Sequence, residues 1–192
     1  MKTKENVFTA RFIAEGAMIA APYVVFTLVF APISYGPVQV RIAEALTILP
    51  LFTPAAIPGL FIGCVLANIL GGCIIWDIIF GSLATLSGAV IGYRLRNNRW
   101  LVPIPAIVSN TVIVPFVLRF GYGVADMPFI LLALSIAVGE IAGCYVLGEI
   151  LAAALLPYRK AVFETVSICP TDTSPRLSRG DCFICVLQPL FF

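Results

Sequence analysis

Six long apolar stretches follow one another along this chain, near residues 7–31, 38–53, 55–75, 77–94, 101–120 and 127–156. A helix crosses the roughly 30 Å hydrocarbon layer of a bilayer with about 20 apolar residues. A water-soluble core has no room for so many segments of that length. Of the 192 residues, 60% are hydrophobic and 11% charged, against roughly 45–50% and about 25% in soluble domains. The pattern predicts an all-α, polytopic membrane protein, a compact bundle of six transmembrane helices over residues 1–163. The second stretch is the shortest, and Pro50, Pro54 and Pro58 fall where it meets the third, marking a turn or a kinked helix end. Lys2 and Lys4 precede the first stretch as they would in a signal peptide. Its length and the lack of a small-x-small exit predict a retained helix instead. Residues 164–192 are polar for most of their length and end in the apolar run Val186 to Phe192; they are expected to be a disordered appendage.

Basic residues set the orientation. Lys2, Lys4 and Arg11 lie at the start, Arg94, Arg96 and Arg99 between the fourth and fifth stretches, and Arg159, Lys160, Arg176 and Arg179 after the sixth. Six spans bring all three groups to one side, leaving Arg41 and Arg119 for the other. Because cytoplasmic loops are enriched in Lys and Arg, both termini are expected in the cytoplasm and the protein in the cell membrane. An odd number of spans would split the first and last groups.

Ionisable residues within such stretches cost ~2.5–3.5 kcal/mol each at the helix centre by insertion scales, and so are candidate functional groups. Arg41, Glu44, Asp77 and Glu140 are of this kind, with Asn68 and Asn110 as neutral companions and Glu15 nearer the cytoplasmic side. In the orientation above, most of this polarity converges on the outer half of the bundle, which predicts a cavity open to the outside. Plainer readings stand beside that one. Arg41 and Glu44, three apart, form a local ion pair on one helix face; Asp77 caps the fourth span; Asn68 and Asn110 bond helix to helix; Glu15 is a satisfied core group or part of a subunit contact. Glu140, mid-span with no basic neighbour on its helix, fits a plain reading least well.

On the first span Ala10, Ala14, Ala17 and Ala21 recur at helical spacing on one face. Small residues so placed let helices approach closely in lipid, either within the bundle or against another membrane subunit. Catalysis is disfavoured. Histidine is absent, which removes the commonest general base and metal ligand. No Gly-x-x-x-x-Gly-Lys-Ser/Thr loop is present for nucleotide hydrolysis. Cys64, Cys73 and Cys144 read as small hydrophobes, and the CxxC of Cys182 and Cys185 lacks the further ligands of a closed zinc site. No metal, cofactor or nucleic acid is implied.

The run PISYGPVQVRIAEALTILPLFTPAAIPGLFIGCVLANILGG, from Pro32, then WDIIFGSLATLSGAVIGYRLRN, and SIAVGEIAGCYVLG from Ser135 to Gly148, resemble the QueT family over about residues 8–160. The resemblance implies a substrate-binding (S) subunit of an energy-coupling factor (ECF) uptake transporter for queuosine precursors, a small-molecule system of the vitamin-uptake type. Its partners would be a transmembrane coupling subunit and two ATPase subunits, with docking through Ala17-x-x-x-Ala21, extended by Ala10 and Ala14. A 7-deazaguanine suits the polar residues. Glu140 or Glu44 would accept from its N–H edge, Arg41, Asn110 and Asn68 would donate, Asp77 would meet a cationic tail, and Tyr35 or Trp76 would stack. The rivals are a stand-alone ion-coupled secondary transporter, which an inverted repeat would support and none is evident, and an intramembrane enzyme, for which no nucleophile-and-base spacing stands out.

Overall fold

The computed structural model describes residues 2–34 and 39–158. The chain divides into Met1–Pro157, which carries the bundle, and Tyr158–Phe192. The appendage expected at 164–192 and the aromatic Tyr35 lie outside the described residues. Among the described residues every regular element is helical: α1 (Lys2–Val29), the one-turn α2 (Ala31–Ser34), a 3₁₀ helix (Ile42–Leu51), α3 (Ala56–Leu70), α4 (Ile75–Arg94), α5 (Ile104–Phe116), α6 (Phe129–Glu140) and α7 (Gly148–Leu155). A π turn, Val117–Gly121, extends α5, and a π segment, Ile141–Leu147, joins α6 to α7.

Four segments are long and apolar enough to cross a membrane: Phe12–Val29, Ile75–Arg94, Arg99–Gly121 and Phe129–Tyr158. The other two expected spans are present but short, Ile42–Leu51 and Ala56–Leu70. At ~2.0 Å per 3₁₀ residue and ~1.5 Å per α residue each reaches about 20 Å. The prolines explain the shortening, since Pro50 ends the first of the two and Pro54 holds the turn into the second.

Polarity is distributed inside out relative to a water-soluble protein. Met18, Phe120, Ile130 and Val138 are more than two-thirds exposed, while Thr27, Arg41, Glu44, Asn68, Asn110 and Glu140 are buried. Helices in such an environment associate by close packing rather than by burying apolar area, and small residues at the contact permit it. Two Gly-x-x-x-Gly pairs do this work. A Cβ on Gly59 of α3 would stand 2.7 Å from the Gly16 carbonyl oxygen of α1, and one on Gly63 3.0 Å from Tyr23 Cβ. On α4, a Cβ at Gly88 would meet Ala106 Cα of α5 at 2.6 Å, and one at Gly92 the Val102 carbonyl oxygen at 2.8 Å. Gly88→Val is therefore expected to destabilise the bundle by about 3 kcal/mol through overpacking, read as a lowered midpoint of thermal unfolding in detergent.

The 3₁₀ helix occupies the middle. It packs against α1, α3, α4, α7 and the π segment, and its residues Ala43 to Pro50 are all buried. A third glycine pair admits the chain leading into it. A Cβ on Gly139 would overlap the Gln39 carbonyl, and one on Gly143 would lie 2.8 Å from that of Arg41. The shortest apolar stretch of the sequence is thus the one most completely enclosed by protein.

Candidate substrate-binding site

Gly139 and Gly143 flank Glu140, so the backbone approach that they allow brings Arg41 and Glu44 against the π segment. Glu140 is the last residue of α6, and the helix widens immediately after it. Wide turns of this sort recur at functional sites because they redirect side chains without ending the helix. The carboxylates of Glu44 and Glu140 and the thiol of Cys144 are all buried, with ligand atoms within 4.8 Å of one another. Cys144 Sγ donates to Glu140 Oε2 at 3.1 Å.

Around this pair the bundle supplies further polar groups. From the buried face of α1, Tyr23 donates its phenol hydrogen to Glu44 Oε1 at 2.7 Å. Arg41 Nε lies 4.0 Å from the same oxygen. Arg41 Nη2 donates to Asn68 Oδ1 of α3 at 3.2 Å, so Arg41 forms both the local pair with Glu44 and a bond across to a second element. Asn68 Nδ2 in turn donates to the Asp77 carbonyl oxygen at 3.3 Å. Asn110 of α5 stands beside Glu140. Among the described residues, neither of its side-chain polar atoms has a hydrogen-bond partner, nor do Glu44 Oε2 and Arg41 Nε. Each such buried group forgoes roughly 1–3 kcal/mol relative to a satisfied one. Five of the six sequence candidates, Arg41, Glu44, Asn68, Asn110 and Glu140, are thereby buried in one connected polar cluster with several bonding positions open.

The sixth, Asp77, is peripheral. It is the third residue of α4, whose cap is Ile74, so the capping reading does not hold. Tyr122 donates to Asp77 Oδ2 at 3.2 Å and accepts from the Ile74 N–H at 3.3 Å. In that turn, burial pushes the Tyr122 phenol and the Cys73 thiol above their ordinary pKa values, which keeps both protonated. Glu15 accepts from Thr53 at 3.2 Å, as a satisfied core group does. Trp76 is half exposed and stacks on Phe80 at 5.9 Å. Both line an apolar groove of about 500 Å³ with Val112, Phe116 and Phe120, which contains none of the cluster.

Two readings of the sequence need revision. Cys64 and Cys144 are more than apolar filler, since Cys64 Sγ lies 3.9 Å from Arg41 Nη2 and 3.7 Å from Asn68 Nδ2. Tyr23 was not among the expected residues, although it continues the buried Gly16–Ala20 side of α1 at helical spacing. Tyr23→Phe is expected to cost about 1–3 kcal/mol of stability, measured by thermal unfolding, because Glu44 loses its shortest bond.

Ala10, Ala14, Ala17 and Ala21 are exposed. The packing of α1 onto α3 uses Gly16, Ile19, Ala20 and Tyr23 instead, so the alanines are not spent on that contact.

A family model described as QueT transporter matches residues 13–157, the helical bundle from the twelfth residue of α1 onward. The chain belongs to the QueT transporter family. It is also 31% identical over 144 residues to the queuosine precursor transporter QueT of Lactococcus lactis subsp. cremoris (strain MG1363), a match covering 68% of this chain and 83% of that protein. No solved structure matches the chain. The QueT family is one of transporters rather than enzymes, and the four long apolar helices mark this member as a membrane protein.

Proposed function

We propose that this chain is the substrate-binding subunit of an ECF-type uptake transporter, taking a queuosine precursor of the 7-deazaguanine type from outside the cell. The observation that carries this reading is the cluster of Arg41, Glu44, Asn68, Asn110 and Glu140, buried yet with donors and acceptors unpaired. A heterocycle rich in N–H and carbonyl groups satisfies such a set. The carboxylates accept, Arg41 and the amides donate, and Asp77 stands at the rim. A metal ion suits it poorly, because the Arg41 guanidinium already lies at 4.0 Å from Glu44.

In this reading all six apolar segments lie in the cell membrane, both termini are cytoplasmic, and the two short ones reach across because protein encloses most of their length. The match of residues 13–157 to the QueT family and the name of the lactococcal relative support the substrate class. No nucleotide-hydrolysing loop is evident in the sequence, so the energy comes from two separate ATPase subunits through a transmembrane coupling subunit, docked on the open alanine face of α1.

Reconstitution into liposomes tests this. Uptake of labelled 7-deazaguanines is expected only when the coupling and ATPase subunits and ATP are present. Uptake by this chain alone under an ion gradient would make it a secondary transporter instead.

A further inference from the structure

We infer that the apolar groove between α4 and α5 holds the acyl chains of one membrane phospholipid, at a site separate from the polar cluster. The leaflet is the outer one in the orientation proposed above, but the binding itself depends neither on that orientation nor on the identity of the substrate.

The groove originates in the way the two helices diverge. Toward the end of α4, Gly88 and Gly92 admit α5 so closely that an added Cβ would stand 2.6 Å from Ala106 Cα and 2.8 Å from the Val102 carbonyl oxygen. At the other end the facing residues are bulky, Trp76 and Phe80 on one side and Val112, Phe116 and Phe120 on the other. Pro115 lies inside α5 and the π turn begins two residues later, and both features bend or widen a helix. A gap of about 500 Å³ is left between the walls.

Its shape decides what fills it. From Val112 to Phe120 the α5 wall runs about 12 Å at ~1.5 Å per residue, most of the roughly 15 Å depth of one leaflet's hydrocarbon. Spread over that length, about 500 Å³ leaves a cross-section of about 40 Å². An α-helix, about 10–12 Å across, needs about 80 Å² or more, so a helix of a neighbouring protein rests on the rim and leaves the gap empty. Water finds no set of polar partners among these side chains, and a void forfeits dispersion contacts along both walls. Two extended polymethylene chains side by side fit. Trp76 and Phe80 stack at 5.9 Å with their rings 16° apart, and Phe116 and Phe120 at 6.2 Å and 12°, so each wall is faced by a pair of nearly parallel rings. At the mouth, Trp76 is the second residue of α4 and Tyr122 follows the π turn. These two side-chain types mark the headgroup level of a bilayer, so chains in the groove descend from lipid ester groups at that depth.

Quenching of tryptophan emission by phosphatidylcholine brominated along its chains tests this on the purified full-length protein in detergent. The sequence has two tryptophans, Trp76 in the groove and Trp100 just before the far end of α5. Trp100→Phe isolates the first and Trp76→Phe the second. Trp76 emission is expected to fall by at least about half and to saturate at one phospholipid per chain as a one-site equilibrium does, while Trp100 loses less than about a tenth. In the Trp100→Phe background, Phe80→Ala with Phe120→Ala takes one ring from each wall at exposed positions. That change is expected to weaken lipid binding at least about tenfold and to leave deazaguanine affinity unaltered. Equal quenching of both tryptophans in proportion to added lipid means bulk contact only and overturns the inference, as does unchanged lipid affinity after loss of the two rings. A dimeric chain whose Trp76 is shielded from the brominated lipid gives the groove to a second copy and overturns it too. Deazaguanine binding is read separately, so none of these results bears on the substrate reading.

Discussion

Arg41→Met is expected to destabilise the bundle by about 3–5 kcal/mol, the largest effect of any single substitution in the cluster. Removing the guanidinium leaves Glu44 and Glu140 buried without a counter-charge, and breaking a buried pair from one side costs that much. Asn68 loses its bond from Nη2 and Cys64 a polar neighbour as well. The control is the double variant Arg41→Met with Glu44→Leu. Replacing both members of a buried pair with apolar groups is often close to neutral, so the double variant should regain at least half of the lost stability. Residues in direct contact are expected to show non-additivity of this kind. Thermal unfolding of the four proteins in one detergent gives the cycle. Additive losses would mean that Arg41 and Glu44 do not compensate each other.

The second large effect falls on the opposite face of α1. Ala17→Trp together with Ala21→Trp is expected to reduce ATP-driven uptake more than about tenfold while leaving ligand affinity within about twofold. Close helix approach in lipid needs small side chains at the contact, and these two alanines are exposed rather than packed onto α3. Unchanged uptake would remove the alanine face as a docking surface. Lost affinity would place it in the fold of the binding site.

The two faces of α1 show what the sequence could convey. The alanine stripe was legible because four small residues recur at helical spacing. Whether it packed inward could not be read, since that depends on where Gly59 and Gly63 of α3 fall in space. Arg41, Glu44, Asn68, Asn110 and Glu140 were legible one by one, because charge and amide groups within apolar runs stand out against the cost of placing them there. Their convergence was expected as an outward-facing cavity in the outer half of the bundle, inferred from shared depth and not from any contact between them. What joins them is the approach of residues 39–41 to Gly139 and Gly143, a contact between segments about 100 residues apart. Tyr23 escaped notice, and Cys64 and Cys144 were read as small hydrophobes, because such side chains pass for apolar ones until a carboxylate or a guanidinium is placed beside them. Asp77 illustrates the opposite error. Its position near the start of a helix suggested a cap, and the cap proved to be Ile74, three residues earlier, with no side-chain cap bond.

The extents of the elements follow the same logic. The four long apolar segments emerged at nearly the expected places because length and hydropathy are local properties. The 3₁₀ helix could not be foreseen as such. Nothing in Ile42–Leu51 favours 3₁₀ over α winding strongly, and its enclosure by α1, α3, α4, α7 and the π segment is a property of the whole bundle.

The decisive measurement is a structure of the protein with a 7-deazaguanine bound. Ligand density is expected between Glu44, Glu140 and Asn110, with Arg41 at its carbonyl edge. Density in the apolar groove lined by Trp76, Phe80 and Phe116 instead, with the polar cluster unchanged, would contradict the assignment of that cluster to substrate.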